Sequence, residues 1–126
     1  MNTGHLSDSQ LLKDIKTAVK NEQICTLLVL EHLQEIAKRR LYCDLHCSSL
    51  FEYCVQELGY SPAQAYRRID ALKITERHPE IKKELSSGQL SLTNINLCST
   101  LFKDAGIKNP RQEKDILDQV KGKSKR

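Results

Sequence analysis

The chain has no tryptophan, and its 126 residues include only five glycines, three prolines, four tyrosines and two phenylalanines. So little turn chemistry and so few aromatics exclude sandwiches and barrels, whose many short strands are joined by frequent glycine- and proline-bearing turns. Leu, Ile, Lys, Glu, Gln and Ala dominate instead, and these residues favour helices. The expectation is an all-α protein. Its length suffices for one compact core and is short for two. A membrane span is also missing: the most apolar run, Ile24 to Leu30, is far below the roughly 20 residues a bilayer requires. That run reads as a buried helix segment. No basic n-region followed by an apolar h-region opens the chain, and Cys25, Cys43, Cys47, Cys54 and Cys98 form no paired framework. A cytoplasmic protein without a membrane partner is expected.

Catalytic and cofactor signals are sparse too. No glycine-rich phosphate loop occurs, and Glu31, Glu35, Glu52 and Glu57 fall at helical spacings suited to ordinary pairs with Lys or Arg. Cys43, Asp44, His46 and Cys47 lie within five residues. Structural zinc, however, takes two such ligand pairs, and no second pair follows. Cys54 and Cys98 read as small buried apolar residues. The chain is therefore expected to be no enzyme and to need no metal or cofactor.

What the sequence does contain is a sharp joint between two helices. Gly59 can adopt the positive φ that closes a helix, Ser61 can cap the next one, Pro62 suits its first position and Gln64 completes a capping box. Leu50, Phe51, Cys54, Val55 and Leu58 form the apolar stripe of the first helix, which Ser48 or Ser49 caps. In the second helix, Pro62, Ala65, Ile69 and Leu72 share one face, while Gln64, Arg67, Arg68 and Ala71 lie on or near the opposite one. One face packs and the other is free to read, which is the arrangement of a helix-turn-helix docking in a DNA major groove.

The formal charge is +4, and Lys121, Lys123, Lys125 and Arg126 in the tail account for four positive charges, leaving the rest of the chain balanced. Locally, Lys38, Arg39 and Arg40 form one basic cluster, and Arg67, Arg68, Lys73, Arg77, Lys82 and Lys83 another. Such clusters meet phosphate, or else are simply solvated helix faces. Within the second helix, Gln64 has the two-sided amide that pairs with adenine and arginine pairs with guanine. Tyr66 either packs or offers its hydroxyl to a phosphate.

In chain order, residues 1–6 carry no pattern and read as a disordered start. Ser7 or Asp8 caps a helix bearing Leu11, Leu12, Ile15 and Val19. Asn21 is a point where it can break, but the apolar period resumes and carries to about Tyr42, so 7–42 is a long helix or helix pair. Residues 48–106 form the helix-turn-helix core. Its later part has a stop at His78 and Pro79, a short helix with Ile81 and Leu85, and a further helix capped by Ser91 or Thr93 and carrying Leu92, Ile95, Leu97 and Leu101. Residues 110–120 make a last helix with Ile116, Leu117 and Val120, followed by a basic tail over 121–126.

Four segments together carry a resemblance: Lys38 to Tyr42, Ser48 to Ser61, Ala65 to Ile69, and Leu85 to Leu92. They resemble the helical region that precedes the nuclease module in a group of bacterial HNH-endonuclease-type proteins, over about residues 7 to 126. A looser likeness, from Leu50 to Leu101, is to the helix-turn-helix of ParB-type partition proteins. Both resemblances imply DNA binding. The chain departs from the first group at His46 and Cys47, where that group has a glycine and an aromatic. The nuclease signature is absent, since His5, His32, His46 and His78 include no adjacent pair. The resulting expectation is a non-catalytic, nucleoid-associated protein that binds double-stranded DNA. Its contact residues are Ser61, Gln64, Tyr66, Arg67, Arg68 and Lys73 on the reading helix, with Lys38, Arg39, Arg40, Lys82 and Lys83 at phosphates. Helix-turn-helix proteins bind as two-fold pairs, and Ile24 to Leu30 is richer than one helix face needs, so a homodimer is expected. The alternatives are a helical interaction or dimerisation module, and the targeting part of a larger HNH nuclease.

Overall fold

The computed structural model describes residues 3–122, and among these the regular secondary structure is entirely helical, with no strand. The helices are α1 (Asp8–Arg39), α2 (Leu41–Asp44), α3 (Leu50–Gln56), α4 (Pro62–Arg77), α5 (Ile81–Ser87), α6 (Leu92–Asp104) and α7 (Pro110–Val120). The all-α expectation holds. Of the basic tail, Lys123, Lys125 and Arg126 lie outside the described residues.

Local chemistry accounts for most boundaries. The Ser7 hydroxyl accepts from the Gln10 amide at 3.1 Å and starts α1. Ahead of that cap, the Leu6 amide donates to the Thr3 carbonyl at 3.1 Å and closes a turn. Asn21 does not break α1, which runs unbroken for 32 residues and ends earlier than Tyr42, where Arg40 turns left-handed at φ 54°. At the central joint, Gly59 has φ 75°, and the Tyr60 amide reaches back to the Cys54 carbonyl at 3.1 Å. Ser61 and Gln64 then close a reciprocal capping box at the head of α4. Ser49 caps α3, and Ser91 caps α6 in a second box with Asn94.

Two apolar clusters make the core, and α4 belongs to both. Ala71 and Ile74 of α4 join Leu30, Ile81, Leu85, Leu90, Ile95, Cys98, Phe102 and Leu117. Ala65 and Leu72 join Leu33 and Cys54. The free face expected for α4 is therefore misplaced. Ala71 is fully buried, whereas Pro62, expected to pack, is exposed and Ile69 is half-buried. The cause is that α4 is wedged between α1 and α3 on one side and α6 on the other, so two of its sides are covered instead of one. The run Ile24 to Leu30 is also only partly interior: Leu30 is buried, but Ile24 and Leu28 are 40% and 46% exposed. On α6, Ile95, Cys98 and Phe102 face the core, which leaves Leu97 and Leu101 outside.

A buried polar cluster bolts α7 to the end of α4. His78, which closes α4, is 3% exposed and places Nε2 at 2.9 Å from Oε1 of Glu113. The other Glu113 oxygen accepts from Arg77 at 2.8 Å. A buried carboxylate is tolerated because both of its oxygens are engaged by partners. The sequence placed His78 only as a helix stop and gave no sign of this contact.

Candidate nucleic-acid interface

Gln64 and Ser61 bind each other's backbone, with the Ser61 amide donating to Gln64 Oε1 at 2.9 Å and the Gln64 amide donating to Ser61 Oγ at 3.2 Å. This fixes the first turn of α4, whose residues Pro62, Ala63, Gln64, Tyr66 and Arg67 are all exposed. The same segment is also held from α6. Asn96 Nδ2 donates to the Arg67 carbonyl at 3.0 Å and to Asp70 Oδ2 at 3.2 Å, and Ser99 Oγ donates to Asp70 Oδ1 at 2.7 Å. Asp70 is 7% exposed. It thus works as a bracket between α4 and α6, with charge-assisted bonds stronger than neutral ones.

Arg67 and Arg68 do not act as a pair. Arg67 points to solvent, whereas the Arg68 guanidinium folds back, 4.3 Å above the Tyr60 ring, and donates to the Gln64 carbonyl at 3.0 Å. Consecutive helical residues are about 100° apart, and Arg68 falls on the side where α3 and the joint approach. Tyr66 is 59% exposed and lies beside Lys103 of α6, whose Nζ is 3.5 Å from the tyrosine hydroxyl and 3.4 Å from Asp70 Oδ1. The Asp70 charge, and after it the Tyr66 hydroxyl, raise the Lys103 pKa, so its ammonium is fully charged at neutral pH.

Two adjoining grooves run along the α4–α6 seam on either side of Asp70. One, of about 330 Å³, is lined by Tyr66, Arg67, Asn96, Leu97 and Thr100. The other, of about 230 Å³, has Lys73, Arg77, Lys103 and Lys108 on its walls. Of the expected contact residues, the seam therefore gathers Tyr66, Arg67 and Lys73, and adds Arg77, Lys103 and Lys108. It does not gather the others. Arg39 pairs with Glu35 along α1 at 2.7 Å, with Lys38 and Arg40 exposed beside it, and Lys82 of α5 reaches Glu31 of α1 at 3.7 Å, next to an exposed Lys83. Sequence reasoning missed Lys103 and Lys108 because nothing in the local pattern says that α6 lies along α4. The one signal was the opposite-charge complement of Asp70 and Lys103, 33 residues apart.

The Cys43 to Cys47 segment gathers no ligand cluster: Cys43 is exposed, Cys47 is buried, and no group of three or more candidate metal ligands occurs among the described residues. Burial, and then the charges of Glu52 and Glu57, push the Cys47 thiol above its ordinary pKa, which makes it a poor nucleophile. No helix among the described residues is long and apolar enough to cross a membrane. Comparison with models of protein families, with curated proteins and with solved structures finds no match.

Proposed function

We propose that the chain binds double-stranded DNA without catalysing a reaction of its own, the α3–α4 pair serving as a helix-turn-helix with the first two turns of α4 in the major groove. The observation that carries this reading is the α4–α6 seam, where exposed Tyr66 and Arg67 stand at one end of a row continued by Lys73, Arg77, Lys103 and Lys108. Arg67 is the residue for a base edge, since its guanidinium is exposed and has the fork that fits guanine. Lys73, Lys103 and Lys108 suit phosphates, which position the protein without reading sequence. Gln64 contributes as the cap that holds the first turn. A nucleoid-associated location follows from this reading, and the likeness to the region preceding HNH nuclease modules supports it, including the case of a targeting part in a larger nuclease.

Fluorescence anisotropy with labelled duplexes at several salt concentrations tests the reading. Binding should weaken steeply with salt through counterion release. Arg67→Ala should cost about 1 to 3 kcal/mol and relax sequence preference, whereas Lys73→Ala should weaken binding evenly across sequences and reduce the salt slope by about 1. Absence of salt-sensitive binding, or equal binding by Arg67→Ala, refutes it. The reading then favoured is an interaction module, for which the exposed Leu97 and Leu101, 64% and 45% accessible, supply a surface.

A further inference from the structure

Every side-chain oxygen on the exposed head of α4 is already turned towards a donor of the protein itself. Gln64 Oε1 accepts from the Ser61 amide at 2.9 Å, Ser61 Oγ accepts from the Gln64 amide at 3.2 Å, and the Tyr66 hydroxyl oxygen faces the Lys103 ammonium at 3.5 Å. No Asp or Glu lies between Glu57 and Asp70, and buried Asp70 has both oxygens engaged, by Asn96, Ser99 and Lys103. What this surface shows to solvent is therefore hydrogen: Gln64 Nε2, the Tyr66 hydroxyl proton and the Arg67 guanidinium, none of which meets an acceptor among the described residues.

We infer that this donor-only surface selects guanine, and that the preferred site carries two consecutive guanines on one strand, one for Arg67 and its neighbour for Gln64. The inference rests on the reading in which α4 lies in the major groove. There guanine alone presents two acceptors side by side, O6 and N7, while thymine has only O4, cytosine offers its N4 donor, and adenine sets a donor beside an acceptor. Cytosine and adenine each require an acceptor in return. Gln64 can satisfy adenine only by laying its oxygen and nitrogen together against the base, and the capping box holds that oxygen at the Ser61 backbone. The closed box thus turns a two-sided amide into a one-sided donor, which removes the adenine pairing that the residue type suggests.

Helical geometry sets the spacing. Gln64 and Arg67 stand about 60° apart around the helix and about 4.5 Å apart along it, close to the rise of roughly 3.4 Å between neighbouring base pairs. Tyr66 lies about 100° from Arg67, on the side of Asn96 and Leu97, so it falls outside that face and has its proton for a phosphate.

Fluorescence anisotropy of the full chain, on duplexes that carry every combination of two central base pairs in an A·T background, reads the preference. The guanine pair should bind best. Replacing its guanines by 7-deazaguanine, which puts C–H in place of the N7 acceptor, should weaken binding about five- to a hundredfold, the factor for losing a base-reading pair. Hypoxanthine keeps N7 and O6 and loses only the minor-groove amino group, so it should change little. Gln64→Glu tests the residue itself. A carboxylate still closes the capping box, so the thermal transition should be kept, but the outward atom becomes an acceptor, and the preference at that one base pair should move from guanine to cytosine. A side chain that only caps the helix would leave the preference unmoved. Salt-sensitive binding that ignores the central pairs, equal binding of the 7-deazaguanine duplex, or an unshifted preference in Gln64→Glu each overturns the inference and leaves the DNA reading standing. Absence of salt-sensitive binding by the wild-type chain overturns both.

Discussion

Arg67 and Arg68 show how much one step along a helix changes a residue's work. Arg68 stacks on Tyr60 and closes over the joint, so Arg68→Ala should lower stability by about 0.5 to 1 kcal/mol through the lost cation–π contact. Arg67→Ala should melt within about 0.5 kcal/mol of wild type, as exposed substitutions do, and thermal unfolding of the two variants side by side checks the contrast. Asp70 carries more. Its removal in Asp70→Ala strands the buried Ser99 hydroxyl and takes from Asn96 Nδ2 one of its two acceptors, leaving the Arg67 carbonyl. A loss of about 1 to 3 kcal/mol is expected, read from chemical denaturation. At this scale the exposure of Arg67 was legible in its helical phase, whereas phase alone left Tyr66 between packing and exposure. The sequence concealed the roles of Asp70, Lys103 and Glu113, because each depends on a partner more than 30 residues away or on a neighbouring helix that no local period describes.

Helix boundaries were the most legible elements, since each is a local event. Ser61 with Gln64, Gly59, Pro62 and Gly88 all sit where capping and φ preference put them, and Ser61→Ala should cost about 1 kcal/mol in thermal stability. Faces were less legible. A 3.6-residue period finds the apolar side of α4 or α6 but not how many neighbours cover it, so it places Ala71 near a free side although the residue is buried, and does not tell the exposed Leu97 from the buried Ile95. A pH effect belongs to α3. Hydrogen bonds from the Ser48 hydroxyl and amide hold the Glu52 carboxyl below the usual glutamate range. The ionised form is favoured in the folded state, so its contribution is present above the unfolded-state pKa and is lost as pH falls through the lower folded value. The N-terminus of α3 should loosen in acid, followed by the amide shifts of Ser48 and Glu52, and Glu52→Gln should flatten that dependence.

At the scale of the molecule, the first half of α1 adds little to the stability of the body, because none of residues 8–22 belongs to either core cluster. A chain beginning at Asn21 should therefore keep the thermal transition of the whole protein within about 0.5 kcal/mol while losing helical ellipticity. The body itself has no such seam. Since α4 lends Ala71 and Ile74 to one cluster and Ala65 and Leu72 to the other, neither can come apart while the other stays intact. In hydrogen-exchange terms, the amides of α4 between Ala65 and Ile74 can open only with global unfolding. They should share one protection factor set by the full stability of the fold, while those of the first turns of α1 exchange by local fraying.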